Sequence, residues 1–352
     1  MQITPPQLLN KSKRQSNIEL FRIVAMFLVL VVHADFFSLQ APTPNEFHAS
    51  RLPTIGRLFF ESLPIGCVNM FVLISGWFGI RPKVRSFSNF LFQCLFFLIG
   101  IYAVCLAFGL ADFSLRGVAG CFALLRQNYW FIKAYVGLYI MAPVLNAYVE
   151  HATKLQLGRT LVFFYLFQTV YSWVSGAAVF FESGYSTMSF AGLYMLARYA
   201  HLYPHRLTTF PARYDFLIFI GVVLFHTLLG AASLGVGVSF LIGKINSYVN
   251  PLVIISSLYL LLGFTKLRFS YRLVNAVAAS SFAVYLLHAN PNLCKPYFCR
   301  AVQFIYHETS GMLCVSYIFI FLVLVFVVAI IADRLRIRCW NILWRMYESR
   351  QA

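Results

Sequence analysis

Residues 17–37 read NIELFRIVAMFLVLVVHADFF, an apolar run interrupted by one arginine and one histidine. A helix that crosses a bilayer needs about 20 such residues. Polar side chains inside it are expensive unless they find a partner or a use. Arg22 and His33 are eleven residues apart. At roughly 100° per residue that separation is about three turns, so both side chains leave one face, about 16 Å apart along the axis. A span with a cation near one surface and an imidazole deep inside constrains everything packed against it.

The rest of the chain repeats the apolar pattern. Runs of spanning character cover residues 19–37, 58–80, 89–110, 129–149, 160–180, 187–205, 216–236, 249–264, 273–293 and 312–331. Hydrophobic residues make up 60% of the chain and charged ones only 11%, against about 25% charged in soluble domains. The expected fold is therefore an all-α integral membrane protein with about ten transmembrane helices. No loop is long enough to hold a separate soluble domain. The divisions are a segment at 1–16, a membrane domain at 17–333 and a basic tail at 334–352, the last expected to lie on the membrane surface as an amphipathic helix. The stretch before residue 17 lacks a short apolar core with a small-residue cleavage site, so the first run is expected to be retained as a span.

A net charge of +17 would point to nucleic acid in a soluble protein. Here the basic residues sit mostly between apolar runs, where membrane orientation accounts for them and nucleic acid is not an expected partner. An even number of spans puts both termini on one side. With that side cytoplasmic, eighteen Lys or Arg fall inside and seven outside, as the positive-inside rule requires. Internal repeats of the inverted kind found in transporters are not visible. Of the eight cysteines only Cys294 and Cys299 share a loop, and they are read as unpaired thiols.

In this orientation His33 lies in the outer half of the membrane. Its imidazole suits a general base acting on a hydroxyl; a histidine hydrogen-bonded between helices for packing is the plainer alternative, and the register with Arg22 weighs against it. His288, in the ninth run, reaches nearly the same depth, with Tyr285 three residues earlier. Asp35 points to a different face from His33, so Glu61 near the outer end of the second run is the better carboxylate partner. Arg22 can snorkel to the inner surface or pair with Glu19. It can also join Arg81, Lys83 and Arg85 of the turn RPKVR in a cationic mouth for a polyanion. Trp130 and Tyr139 fit an aromatic belt and equally a surface on which sugar rings stack. Metal-binding spacings, phosphate-binding glycine loops and hydrolase elbows are lacking.

Four segments together resemble membrane-bound acyltransferase family 3, the multi-pass O-acyltransferases of bacterial surface glycans. They are NIELFRIVAMFLVLVVHADFF with Arg22 and His33, NMFVLISGWFGIRPKVR with its Ser-Gly-aromatic stretch and basic turn, NYWFIKAYVGLYIMAPVLN with Trp130, Phe131, Tyr139 and Pro143, and SSFAVYLLHANP with Tyr285 and His288. The basic turn spaces its cations as Arg-Pro-Lys-Val-Arg, and Lys133 is an unusual occupant of its span.

The resemblance implies a multi-pass protein of the bacterial cytoplasmic (inner) membrane. Its partners would be acyl-CoA, a glycan acceptor and the bilayer, with room for a homo-oligomer and no tightly bound cofactor. It would move an acyl group, usually acetyl, from cytoplasmic acetyl-CoA to a sugar hydroxyl. On this expectation Arg22, Arg81, Lys83 and Arg85 hold the donor phosphates. His33, Glu61 and His288 carry the chemistry, and Trp130, Tyr139 and Tyr285 meet the substrate. The competing expectation is a transporter or exporter whose histidines line a solute path.

Overall fold

The computed structural model describes residues 14–122, 129–171, 180–238 and 240–351, and every regular element among them is helical. The first half contains α1 (Ser16–Val32), α2 (Pro44–Ala49), α3 (Arg51–Ser62), α4 (Cys67–Phe78), α5 (Val84–Ala107), α6 (Leu115–Phe122), α7 (Trp130–His151) and α8 (Lys154–Thr169). The second contains α9 (Thr187–Leu202), α10 (Ala212–Gly235), α11 (Phe240–Ile245), α12 (Pro251–Lys266), α13 (Arg272–Ala278), α14 (Phe282–His288), α15 (Arg300–Glu308) and α16 (Gly311–Ser349). The segment expected at 1–16 lies outside the described residues up to 13, as do residues 123–128 and the distal part of the fifth run at 172–179.

Among the described residues six stretches are long and apolar enough to cross a membrane: Ser16–Phe37, Arg51–Phe78, Val84–Ala107, Trp130–His151, Ala212–Gly235 and Gly311–Ser349. The other expected spans form shorter helices. α9 and α12 have 16 residues each, which at 1.5 Å per residue is about 24 Å, short of a 30 Å hydrocarbon core. Length and composition therefore carry six spans, and the expected ten do not follow from them.

Three expected helices have different limits. The second run breaks at 63–66 into α3 and α4, where Pro64 has no N–H for the helical ladder; the Cys67 N–H instead caps the Pro64 carbonyl at 2.8 Å. The ninth run breaks at 279–281, where the Ser281 hydroxyl donates to the Ala278 carbonyl (2.9 Å) in competition with the backbone. α14 then ends before Pro291, which disfavours helical geometry in the preceding residue. The basic tail is not a separate surface helix. α16 continues unbroken for 39 residues, roughly 58 Å. Buried Asp333 holds it to α5 by accepting from Arg336 Nη2 (2.7 Å) and Gln93 Nε2 (2.9 Å), while Arg336 Nη1 donates to Asn89 (2.9 Å).

The site rests on two packing centres. α1 packs against α4, α12, α13 and α14, and its first residues are buried and tied down. Ser16 donates to Asn275 Oδ1 (2.9 Å), and Asn17 Nδ2 to the Phe264 carbonyl (3.0 Å). α9 packs against α4, α7 and α8. A Cβ on Gly76 would stand 2.5 Å from the Tyr194 carbonyl oxygen, so α4 and α9 meet backbone to backbone, the close approach small residues allow in membranes. With α4 and α7 both drawn onto α9, the space between them and α1 is left to side chains.

Candidate active site

Beyond Val32 the first helix widens into a π-type turn, His33–Phe37, a feature frequent at functional sites. His33 is its first residue. His33 Nδ1 lies 2.8 Å from His288 Nε2, at the end of α14. His288 Nδ1 in turn lies 2.5 Å from the Val284 carbonyl oxygen, one turn back. A carbonyl only accepts, so His288 carries its proton on Nδ1. In the neutral ring His288 Nε2 is then a lone pair, and His33 must donate to it from Nδ1. The chain of donors leaves His33 Nε2 unprotonated, and among the described residues it has no hydrogen-bond partner. Hydrogen-bond logic thus fixes both tautomers and leaves one basic nitrogen aimed away from the pair.

His33 lines a narrow crevice walled by Phe71 of α4, Trp130 and Phe131 of α7, and Phe282 and Tyr285 of α14. The crevice runs down α1 through Val29 to Met26. Its next turn is set by helical spacing: Arg22 is four residues before Met26, Ser75 four after Phe71, and Tyr135 four after Phe131. Ser75 Oγ and Tyr135 Oη are 3.1 Å apart, and Arg22 is within electrostatic reach of Tyr135. α4 and α7 therefore run antiparallel to α1, and the three helices align a path from Arg22 to His33. The crevice itself reaches from His33 to Met26, and Arg22 stands one helical turn beyond it.

At the Arg22 end the guanidinium pairs with Glu19 at 2.6 Å and keeps about a third of its surface exposed. The basic turn leaves α4 at Gly79, whose φ of +76° is left-handed and suits glycine. Its backbone is clamped from two helices. The Ile80 N–H donates to Tyr194 Oη (2.8 Å), Asn146 Nδ2 donates to the Ile80 carbonyl (2.8 Å), and the Lys83 N–H donates to Tyr139 Oη (2.8 Å). Arg81, Lys83 and Arg85 are exposed. Arg85 leans toward the extension of α16, 3.7 Å from Glu348 and 5.2 Å from the Trp344 ring centroid. Tyr139, expected near the acceptor, stands with the basic turn, while Trp130, nine residues before it, lies beside His33 with Tyr285.

Glu61 is buried, and among the described residues its carboxylate oxygens lack a well-formed hydrogen bond. It faces Asp35, Arg57 and Asn246. Asp35, turned away from His33 as its register requires, lies 3.8 Å from Arg57, which also donates to the Gln40 carbonyl at 2.5 Å. No hydrogen bond joins either carboxylate to His33 among the described residues. The imidazole's partner is His288.

Two residues were not singled out in the sequence. Arg198 of α9 donates to the Trp77 carbonyl (3.3 Å) beside Gly79, adding a cation at the basic turn. An arginine inside an apolar run was the available signal. His226 of α10 is buried against Ser62 and the Ile245 carbonyl, both at 2.9 Å.

Residues 15–334 match the acyltransferase 3 family, described as an acyltransferase domain, and the chain belongs to that family. It is a membrane acyltransferase. Neither a curated protein nor a solved structure matches it.

Proposed function

We propose that the protein is an O-acyltransferase that moves an acetyl group from cytoplasmic acetyl-CoA to a hydroxyl of a bacterial surface polysaccharide or its lipid-linked precursor. It would work in the inner membrane, with ten spans and both termini in the cytoplasm. Donor phosphates meet Arg22, Arg81, Lys83 and Arg85, joined by Arg198. The pantetheine arm follows the crevice along α1, on the order of the 16 Å between Arg22 and His33, and delivers the thioester carbonyl to His33. Trp130 and Tyr285 flank the acceptor.

The observation that carries this reading is the unpartnered Nε2 of His33, on a ring that lines a crevice running down α1 to Met26, one turn short of Arg22. In the reaction the acceptor oxygen attacks the thioester carbon as His33 Nε2 takes the hydroxyl proton. A C–O bond forms, the C–S bond breaks, and the proton passes to the departing thiolate. His288 Nε2, accepting from His33 Nδ1–H, holds the ring in orientation and stabilises the imidazolium, a role like that of the third member of a catalytic triad. Glu61 and Asp35 border this region and would tune its field.

Mass spectrometry of surface polysaccharide from cells carrying wild-type protein or His33→Ala tests the reading. Loss of O-acetyl groups at unchanged protein abundance is expected. Persistent acetylation would remove His33 from the chemistry. Loss of solute movement with acetylation untouched would assign the crevice to a transporter.

A further inference from the structure

The crevice at His33 is walled by apolar and aromatic groups at Met26, Val29, Phe71, Phe131 and Phe282, and one helical turn beyond these walls, toward Arg22, stands the hydroxyl pair Ser75 and Tyr135. Resting on the donor reading above, we propose that this pair binds a secondary amide of the donor's pantetheine arm, with Tyr135 Oη accepting the amide N–H. The pantetheine arm has two secondary amides between phosphate and sulfur, and each brings an N–H that must find an acceptor once it leaves water.

Proton placement supports the assignment. Ser75 Oγ lies 3.0 Å from the Phe71 carbonyl, which can only accept, so the serine hydrogen is committed there. The 3.1 Å contact between Ser75 Oγ and Tyr135 Oη then has the tyrosine as donor. Tyr135 has spent its one hydrogen and keeps an oxygen lone pair. Its ring is fixed by stacking on Phe131, with centroids 5.6 Å apart and planes 19° from parallel. Arg22 is within electrostatic reach. The acceptor therefore stands toward the phosphate end of the path, about one and a half turns of α7 from the tier of Trp130.

Equilibrium binding to the purified full-length protein in detergent micelles separates the possibilities. The probes are CoA, 4′-phosphopantetheine, and adenosine 3′-phosphate 5′-diphosphate, which keeps the nucleotide phosphates and lacks the arm. Tyr135→Phe keeps the ring and its stacking. It is expected to weaken CoA and 4′-phosphopantetheine about tenfold, the scale of one buried hydrogen bond, and to leave the armless nucleotide unchanged. Ser75→Ala should show the same pattern, reduced. If wild type binds CoA and Tyr135→Phe binds all three probes as wild type does, the amide assignment is overturned. If the variant weakens the armless nucleotide equally, Tyr135 supports the fold and the assignment is again overturned. Failure of the wild type to bind CoA would overturn the donor reading itself.

Discussion

The protein holds two histidines within its membrane helices that look alike in sequence and differ in what their rings have left to do. His226 gives both nitrogens away, Nδ1 to Ser62 Oγ and Nε2 to the Ile245 carbonyl, and is 3% exposed. His33 gives up one, to His288, keeps the other without a partner among the described residues, and lines a crevice. The carbonyl that fixes His226 accepts from Nε2, whereas the carbonyl that orders the His33 pair acts one ring further away, through His288. A buried polar group that is fully satisfied holds a fold together, and one left half-satisfied at the end of a path is placed to react. Asp333, whose oxygens accept from Arg336 and Gln93, is likewise better satisfied than Glu61, which faces only Asn246 as a neutral donor among the described residues.

Mutations can break this comparison or sharpen it. The largest effect is expected for His33→Ala, a loss of about 10³-fold in acyl transfer, in the range of a positioned general base, with the amount of folded protein unchanged. His288→Ala should cost roughly 10²-fold, because His33 loses its orienting acceptor while Nε2 survives. His288→Gln, whose amide oxygen can accept from His33 Nδ1–H, should recover part of that loss in the same assay. Arg22→Ala should raise the KM for acetyl-CoA about tenfold and leave kcat near wild type, the expected result of removing one charge-assisted contact to a phosphate. An unchanged KM would take Arg22 out of the donor site. His226→Ala should leave activity per folded molecule near wild type. It strands the Ser62 hydroxyl, while the Ile245 carbonyl keeps the Asn250 amide as donor, so its effect should appear as about 1–3 kcal/mol of lost stability in thermal unfolding.

The register of Arg22 and His33 was legible because helical periodicity fixes it within one element. The approach of His288 was legible only as a matched depth. Its contact depends on where α14 ends, which the break at 279–281 and Pro291 decide. Glu61 was the expected partner of the imidazole because depth alone favoured it, and depth says nothing about which way a helix faces. The interruption of the second run was written in Pro64. The continuity of α16 was hidden because a basic tail reads as a surface helix, while the tie that extends it, Asp333 and Arg336 to Asn89 and Gln93, joins residues some 240 positions apart. Tyr139 looked like belt or sugar platform, and only the tertiary fold shows its hydroxyl holding the Lys83 backbone.

The account stands on the free nitrogen of His33, and one comparison tests it most directly. Wild type, His33→Gln and His226→Gln would be purified and reconstituted into vesicles containing lipid-linked glycan extracted from the native membrane. Transfer of radiolabelled acetyl from acetyl-CoA to glycan would be measured per folded molecule. Transfer is expected to vanish in His33→Gln and to remain near wild type in His226→Gln. Undiminished transfer in His33→Gln, with wild type active beside it, would contradict the account.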